Sequence, residues 1–162
     1  MKTLYLAGGC FWGTQRFFDQ FDGVTHTEVG YANGPAGSVT YEEVCKSSGH
    51  AETVRVDYDE SVLSTAKLLE YYFMVIDPLS VNKQGGDEGV QYRTGVYYDD
   101  PSLLPDIEAA FKKEQAKYEK PMAVELLPLE SFCGAEEYHQ KYLVKNPTGY
   151  CHIAPWLLDL KK

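Results

Sequence analysis

The stretch TLYLAGGCFWGTQRFFDQF, residues 3–21, decides how the rest of the chain is read. TLYLA at 3–7 is an apolar run of strand length that ends on Gly8-Gly9, where the backbone can turn tightly. From Cys10 onward the spacing changes. Phe11, Trp12, Phe17, Phe18 and Phe21 fit one face of a helix reaching Phe21. A strand that turns directly into a helix opens a β-α-β unit. Farther along, TVRVDY at 53–58 alternates, with Val54, Val56 and Tyr58 on one side of a half-buried strand. Ser64 can cap a helix through about Ile76, with Leu68, Leu69, Tyr72, Phe73 and Ile76 along one stripe. TGVYY at 94–98 reads as a further strand, and Ser102 or Asp106 opens a polar-faced helix to about Tyr118. Ala123–Leu127 is expected as a strand and Glu136–Leu143 as a short helix. This interleaving predicts an α/β (α+β) two-layer sandwich with a ferredoxin-like core. Two long stretches, Gly30–His50 and Pro78–Arg93, lack periodicity and are rich in Gly, Asn, Asp and Ser. Loops of that length inside a compact domain are usually functional, so the site is expected between them.

Composition narrows the function. The 162 residues suit one domain, 1–162, with a core large enough to need no staples. The net charge of -9 comes with scattered Lys and Arg, which argues against nucleic acid and against anionic membranes as partners. No apolar run approaches a bilayer span, and MKTLYLAGG lacks the continuous apolar stretch of a signal peptide. The expected location is the cytoplasm. The four cysteines, Cys10, Cys45, Cys133 and Cys151, stand far apart with no Cys-x-x-Cys pair. That spacing does not suit structural zinc, and reduced, reactive thiols are expected instead of structural disulfides. Thirteen tyrosines supply half-buried packing for the most part, though tyrosine also suits a pocket holding something half apolar.

Four segments carry candidate chemistry. In GGCFWG, Gly8–Gly13, Cys10 opens a helix, and a thiol there feels unpaired backbone N–H groups and the positive end of the helix dipole. Phe11 and Trp12 can wall an apolar slot beside it; a buried, inert cysteine is the plainer alternative. YEEVCKSSGHAE, Tyr41 to Glu52, sets the Glu52 carboxyl at the mouth of an apolar strand. Desolvation there would raise its pKa from about 4.3 and keep it a proton donor near neutrality. His50 is a rival acid or base. The loop GGDEGVQYR, Gly85 to Arg93, is no phosphate loop, because no Gly-Lys-Ser/Thr follows; Asp87 and Tyr92 are its polar candidates. NPTGYCHI, Asn146 to Ile153, bends around Cys151 on a segment from which a thiol could reach a distant partner.

Taken together, GCFWG, the GHAE step, the GxDxGxQYR loop and the late GYC resemble peptide methionine sulfoxide reductase A, over residues 5–153. The resemblance implies roles position by position. Cys10 would be the nucleophile, and Phe11 and Trp12 the pocket for the substrate's methyl group. Glu52 would be the protonated acid, and Tyr41 and Tyr92 the hydroxyls that bond the sulfoxide oxygen. Asp87 would stand beside the site, and Cys151 would be the recycling thiol in a Cys10–Cys151 redox disulfide. It further implies the S epimer of methionine sulfoxide, free or in proteins, and thioredoxin as reductant, with neither metal nor organic cofactor. A monomer is expected. One departure is visible: after Cys151 the chain runs on as APWLLDLKK, without the second recycling cysteine that many relatives carry in a glycine-rich tail. Cys133 and Cys45 remain rival resolving thiols. Two other readings compete: a cysteine hydrolase using His50 or His139, and a non-enzymatic domain whose aromatic slot binds methionine-like side chains.

Overall fold

The structure, a computed structural model, describes residues 2–8, 11–32, 51–80, 83–84, 87–88, 92–129 and 132–134. Strand β1, Lys2–Ala7, is followed after a short step by helix α1, Phe11–Phe18. Strands β2, Val24–Ala32, and β3, Ala51–Tyr58, run antiparallel to each other. Helix α2, Thr65–Met74, precedes a two-residue ladder of β4, Lys83–Gln84, and β5, Asp87–Glu88. Then come β6, Gly95–Tyr98, helix α3, Leu104–Gln115, and strands β7, Glu125–Pro128, and β8, Phe132–Gly134.

The main sheet has the order β7-β6-β1-β3-β2-β8. Its inner four strands, with α1 and α2, form the β-α-β-β-α-β arrangement of a ferredoxin-like core, as the sequence predicts. β7 extends it in parallel beside β6, and β8 extends it antiparallel beside β2.

Strand alternation explains the layering. Leu4 and Leu6 of β1, Val54, Val56 and Tyr58 of β3, and Val96 of β6 face the helices. Against them pack Phe17 and Phe18 from α1 and Leu68, Leu69, Tyr72 and Phe73 from α2, nearly all solvent-free. Fully burying a side chain of this kind contributes about 1.5–3 kcal/mol. The helical layer is sealed by rings: Phe21 stacks on Tyr71 at 4.2 Å, and Phe73 meets Phe111 of α3 edge-on at 5.5 Å. A smaller cluster of Tyr5, Ala7, Ala32, Ala51 and Tyr97 lies on the opposite face of the sheet.

Local signals set the helix starts. Ser64 caps α2, its Oγ accepting from the Lys67 N–H at 3.1 Å. Ahead of α3, a 3-10 turn at Pro101–Leu103 is capped by Asp100, whose carboxylate accepts from the Ser102 N–H at 3.0 Å. Asp100 therefore begins this element, where the sequence pointed to Ser102 or Asp106. Helix α1 stops at Phe18, short of the expected Phe21, although Phe21 is still buried against it. The largest difference is β2. Sequence reading put no strand between Phe21 and Thr53 and counted Gly30 within an aperiodic stretch. At its end β2 is buried continuously from Val29 to Ala32, so the alternation that marks a half-buried strand is lost there. The segment expected to be a helix at Glu136–Leu143 lies outside the described residues.

Candidate active site

The register of the sheet brings the described segments that carry or adjoin three of the candidates, Glu52, Trp12 and Tyr92, to one end of it. Ala7, the last residue of β1, is opposite Thr53 of β3 and Gly95 of β6. The chain leaves this point through Gly8 toward Cys10 and the first turn of α1. It returns to this point through Tyr92, half-buried, just before β6. Glu52, one residue before Thr53, therefore belongs to the same end of the sheet as Ala7 and Gly95. Cys10, Tyr41 and Cys151 lie outside the described residues, as do Cys45, His50 and His139.

Glu52 is 1% exposed, as the second residue of β3 on the face it shares with Val54 and Val56. Removing a carboxyl from water penalises its charged form. Directly across the ladder is Tyr31 of β2, itself fully buried. Sequence reading did not single out Tyr31; its spacing two residues beyond Val29 was the available sign. Next to Tyr31, on β8, is Cys133 in backbone register. At the usual strand spacing, its backbone is about 10 Å from that of Glu52. The backbone of the rival resolving cysteine thus belongs to this end of the sheet.

Around the turn that leads to Cys10 the backbone is held on two sides. Thr14, in α1, donates from Oγ1 to the Gly8 carbonyl at 3.3 Å. On the other side the chain just past α2 comes so close that a Cβ on Gly8 would stand 2.5 Å from Ile76 Cγ2. Glycine at this position is therefore a packing requirement. Trp12, in the first turn of α1, is half-buried and packs against the main core. Phe11 is the first residue of that helix. Further down α1, Gln15 Nε2 donates to Thr27 Oγ1 at 3.2 Å, and Thr27 Oγ1 donates to Asp19 Oδ1 at 2.6 Å. This chain of side chains locks α1 to β2.

The segment bearing Tyr92 is fastened by its neighbour. Arg93 Nε lies 2.7 Å from Glu125 Oε1, and the Tyr97 hydroxyl donates to the same oxygen at 2.7 Å. Burial, together with the bond to Glu125, pushes the Tyr97 phenol well above its ordinary value and keeps it a donor. Asp87 is in β5, its backbone opposite Gln84. Among the described residues no group of three or more His, Cys, Asp or Glu is placed to hold a metal ion. No described helix is long and apolar enough to cross a membrane.

Comparison with known proteins gives the same outline from outside. A family model described as peptide methionine sulfoxide reductase matches residues 2–159. Peptide methionine sulfoxide reductase MsrA of Lachnoclostridium phytofermentans is 55% identical over 99% of this chain and 98% of its own length. Among solved structures, reduced Mxr1 from Saccharomyces cerevisiae superposes with a TM-score of 0.88 at 35% identity, covering 94% of this chain and 91% of that one. Mxr1 has also been solved in complex with Trx2. That structure matches with a TM-score of 0.61 at 24% identity over 87% of this chain and 84% of that one, a likeness of fold.

Proposed function

Because the chain belongs to the peptide methionine sulfoxide reductase A family and is an oxidoreductase acting on methionine sulfoxide, we propose that it does so through a sulfenic acid on Cys10. The observation that carries this reading is the burial of Glu52 at the sheet end it shares with Ala7 and Gly95. A sulfoxide sulfur is a poor electrophile until its oxygen receives a proton or strong hydrogen bonds. Neutral Glu52 donates that proton, and the Tyr41 and Tyr92 hydroxyls hold the oxygen. The Cys10 thiolate attacks the sulfur of the protonated sulfoxide, forming a transient S–S bond. The hydroxyl then passes from that sulfur to Cys10 Sγ as the S–S bond breaks and its electron pair leaves with methionine. Methionine is reduced by two electrons and Cys10 is oxidised by two, to the sulfenic acid.

Phe11 and Trp12 receive the methyl group, with Asp87 beside the site. Two fixed substituents around a chiral sulfur select the S epimer, free or in proteins. The Cys151 thiol then condenses with the sulfenic acid, forming a Cys10–Cys151 disulfide and releasing water. A dithiol of the thioredoxin class reduces it; the complex of Mxr1 with Trx2 is the supporting precedent. The enzyme works as a monomer in the cytoplasm, where thiols stay reduced.

The test is turnover of each methionine sulfoxide epimer with dithiothreitol. The S epimer should be reduced and the R epimer refused, with Cys10→Ser inactive. Equal rates on both epimers, or more than a few per cent activity in Cys10→Ser, would sink the mechanism. Peptide mapping after one turnover should find Cys10 joined to Cys151. A Cys10–Cys133 peptide would instead move the resolving role to β8.

A further inference from the structure

We propose that Tyr72 is a positioning residue, its buried hydroxyl setting the strand end that leads to Cys10 against the strand start that follows Tyr92. The inference rests on the reading of Cys10 and Tyr92 just given. Tyr72 is in α2, fully buried. Its hydroxyl lies 2.5 Å from the Ala7 carbonyl and 3.2 Å from the Gly95 carbonyl, and accepts the Gly95 N–H at 3.0 Å. Ala7 and Gly95 are the paired residues at the end of the β1–β6 ladder. Beyond Ala7 come Gly8, Gly9 and Cys10; before Gly95 come Tyr92, Arg93 and Thr94. The phenol therefore clasps both strands at the point where the two functional segments diverge.

Packing alone does not require this oxygen, since phenylalanine would fill the same space. A hydroxyl in a dry core is costly unless it is hydrogen-bonded, and here its one proton has two backbone carbonyls within reach and its oxygen accepts a backbone N–H. Burial raises the Tyr72 phenol well above its ordinary value, so it stays protonated and able to donate. The ring is pressed into the same corner: a Cβ on Gly8 would stand 3.7 Å from Tyr72 Cε1. With Thr14 on the Gly8 carbonyl and Tyr72 on that of Ala7, two successive carbonyls ahead of Cys10 are fixed from α1 and α2. The direction in which the chain leaves β1 toward α1, and with it the placing of that helix's N-terminus, follows from this clasp.

Tyr72→Phe keeps the ring and removes the clasp. Carboxymethylation of Cys10, followed at its own peptide from pH 6 to 10, should show its apparent pKa rising by about half a unit to one unit as the helix terminus loses its aim. Single-turnover reduction of saturating methionine S-sulfoxide should slow about tenfold, with half-saturation changed less than about twofold. Replacing Tyr72 with 4-aminophenylalanine, which restores a donor at the same point, should bring both values back. Tyr58→Phe is the control. Tyr58 is also fully buried, bonded to Thr65 Oγ1 at 2.6 Å, at the opposite end of β3. It should lose stability and leave Cys10 untouched. Wild-type values in Tyr72→Phe, or equal shifts in Tyr58→Phe, would overturn the inference. Should the wild-type protein reduce no sulfoxide, the proposed function falls, and the carboxymethylation profile still decides the role of Tyr72.

Discussion

Glu52 and Tyr31 face each other inside the sheet, where polar atoms are tolerated only with a purpose or a partner. If Glu52 supplies the proton in the rate-limiting bond cleavage, Glu52→Gln keeps its shape but removes the acid. Single-turnover reduction should then slow by about 10²–10⁴ with an unchanged circular dichroism spectrum. A loss below threefold would assign the proton to another group. Glu52 was legible in sequence because its signal is local, a carboxyl set immediately before Thr53-Val54. Tyr72 was legible only as one member of an apolar helical stripe. Its hydroxyl partners lie 65 and 23 positions away, and no short-range pattern records them.

Among the elements, α2 joins two functions in one length of chain: its N-terminus is fixed by Ser64, and its C-terminal half carries Tyr72, with Ile76 just past its end, onto Gly8 and the end of β1. Loss of the cap should fray the first turn without reaching the last. Ser64→Ala is expected to cost about 1 kcal/mol, read as a lower urea midpoint at constant slope, with sulfoxide reduction unaffected under folding conditions. Activity falling in step with the midpoint would mean that α2 moves as one rigid piece. This helix was readable because cap and stripe agree. β2 was not, because Thr25 and His26 are exposed at its start while Val29–Ala32 are wholly enclosed between β3 and β8. A register shift between Val24 and His26 breaks its pattern further.

At the scale of the molecule, the core holds several tyrosines whose ionisation it resists. Burial pushes Tyr58 up to about 12 and raises Tyr72 and Tyr97 well above their ordinary value. The unfolded chain releases these protons near pH 10, so above that pH it binds fewer protons than the folded chain. Stability should therefore be flat up to about pH 10 and fall from there through about pH 12. The part of the tyrosinate absorbance that comes from the buried tyrosines should rise together with loss of helical signal. Ionisation of all thirteen tyrosines before any unfolding would contradict the burial described.

The sandwich itself was legible from the alternation of elements. The order in which strands lie side by side was not, since that order is settled by pairings between distant segments. It has a consequence for the chain as it is made. The sheet end from which the chain runs on to Cys10 is assembled from β1, β3 and β6, and the same sheet includes β8, which is synthesised about 120 residues after the cysteine, roughly 6–25 s later at ordinary ribosome speed. For that interval the nascent chain carries Cys10, the proposed nucleophile, before its sheet is complete. Its protection from adventitious oxidation during those seconds must come from the cell's small thiols.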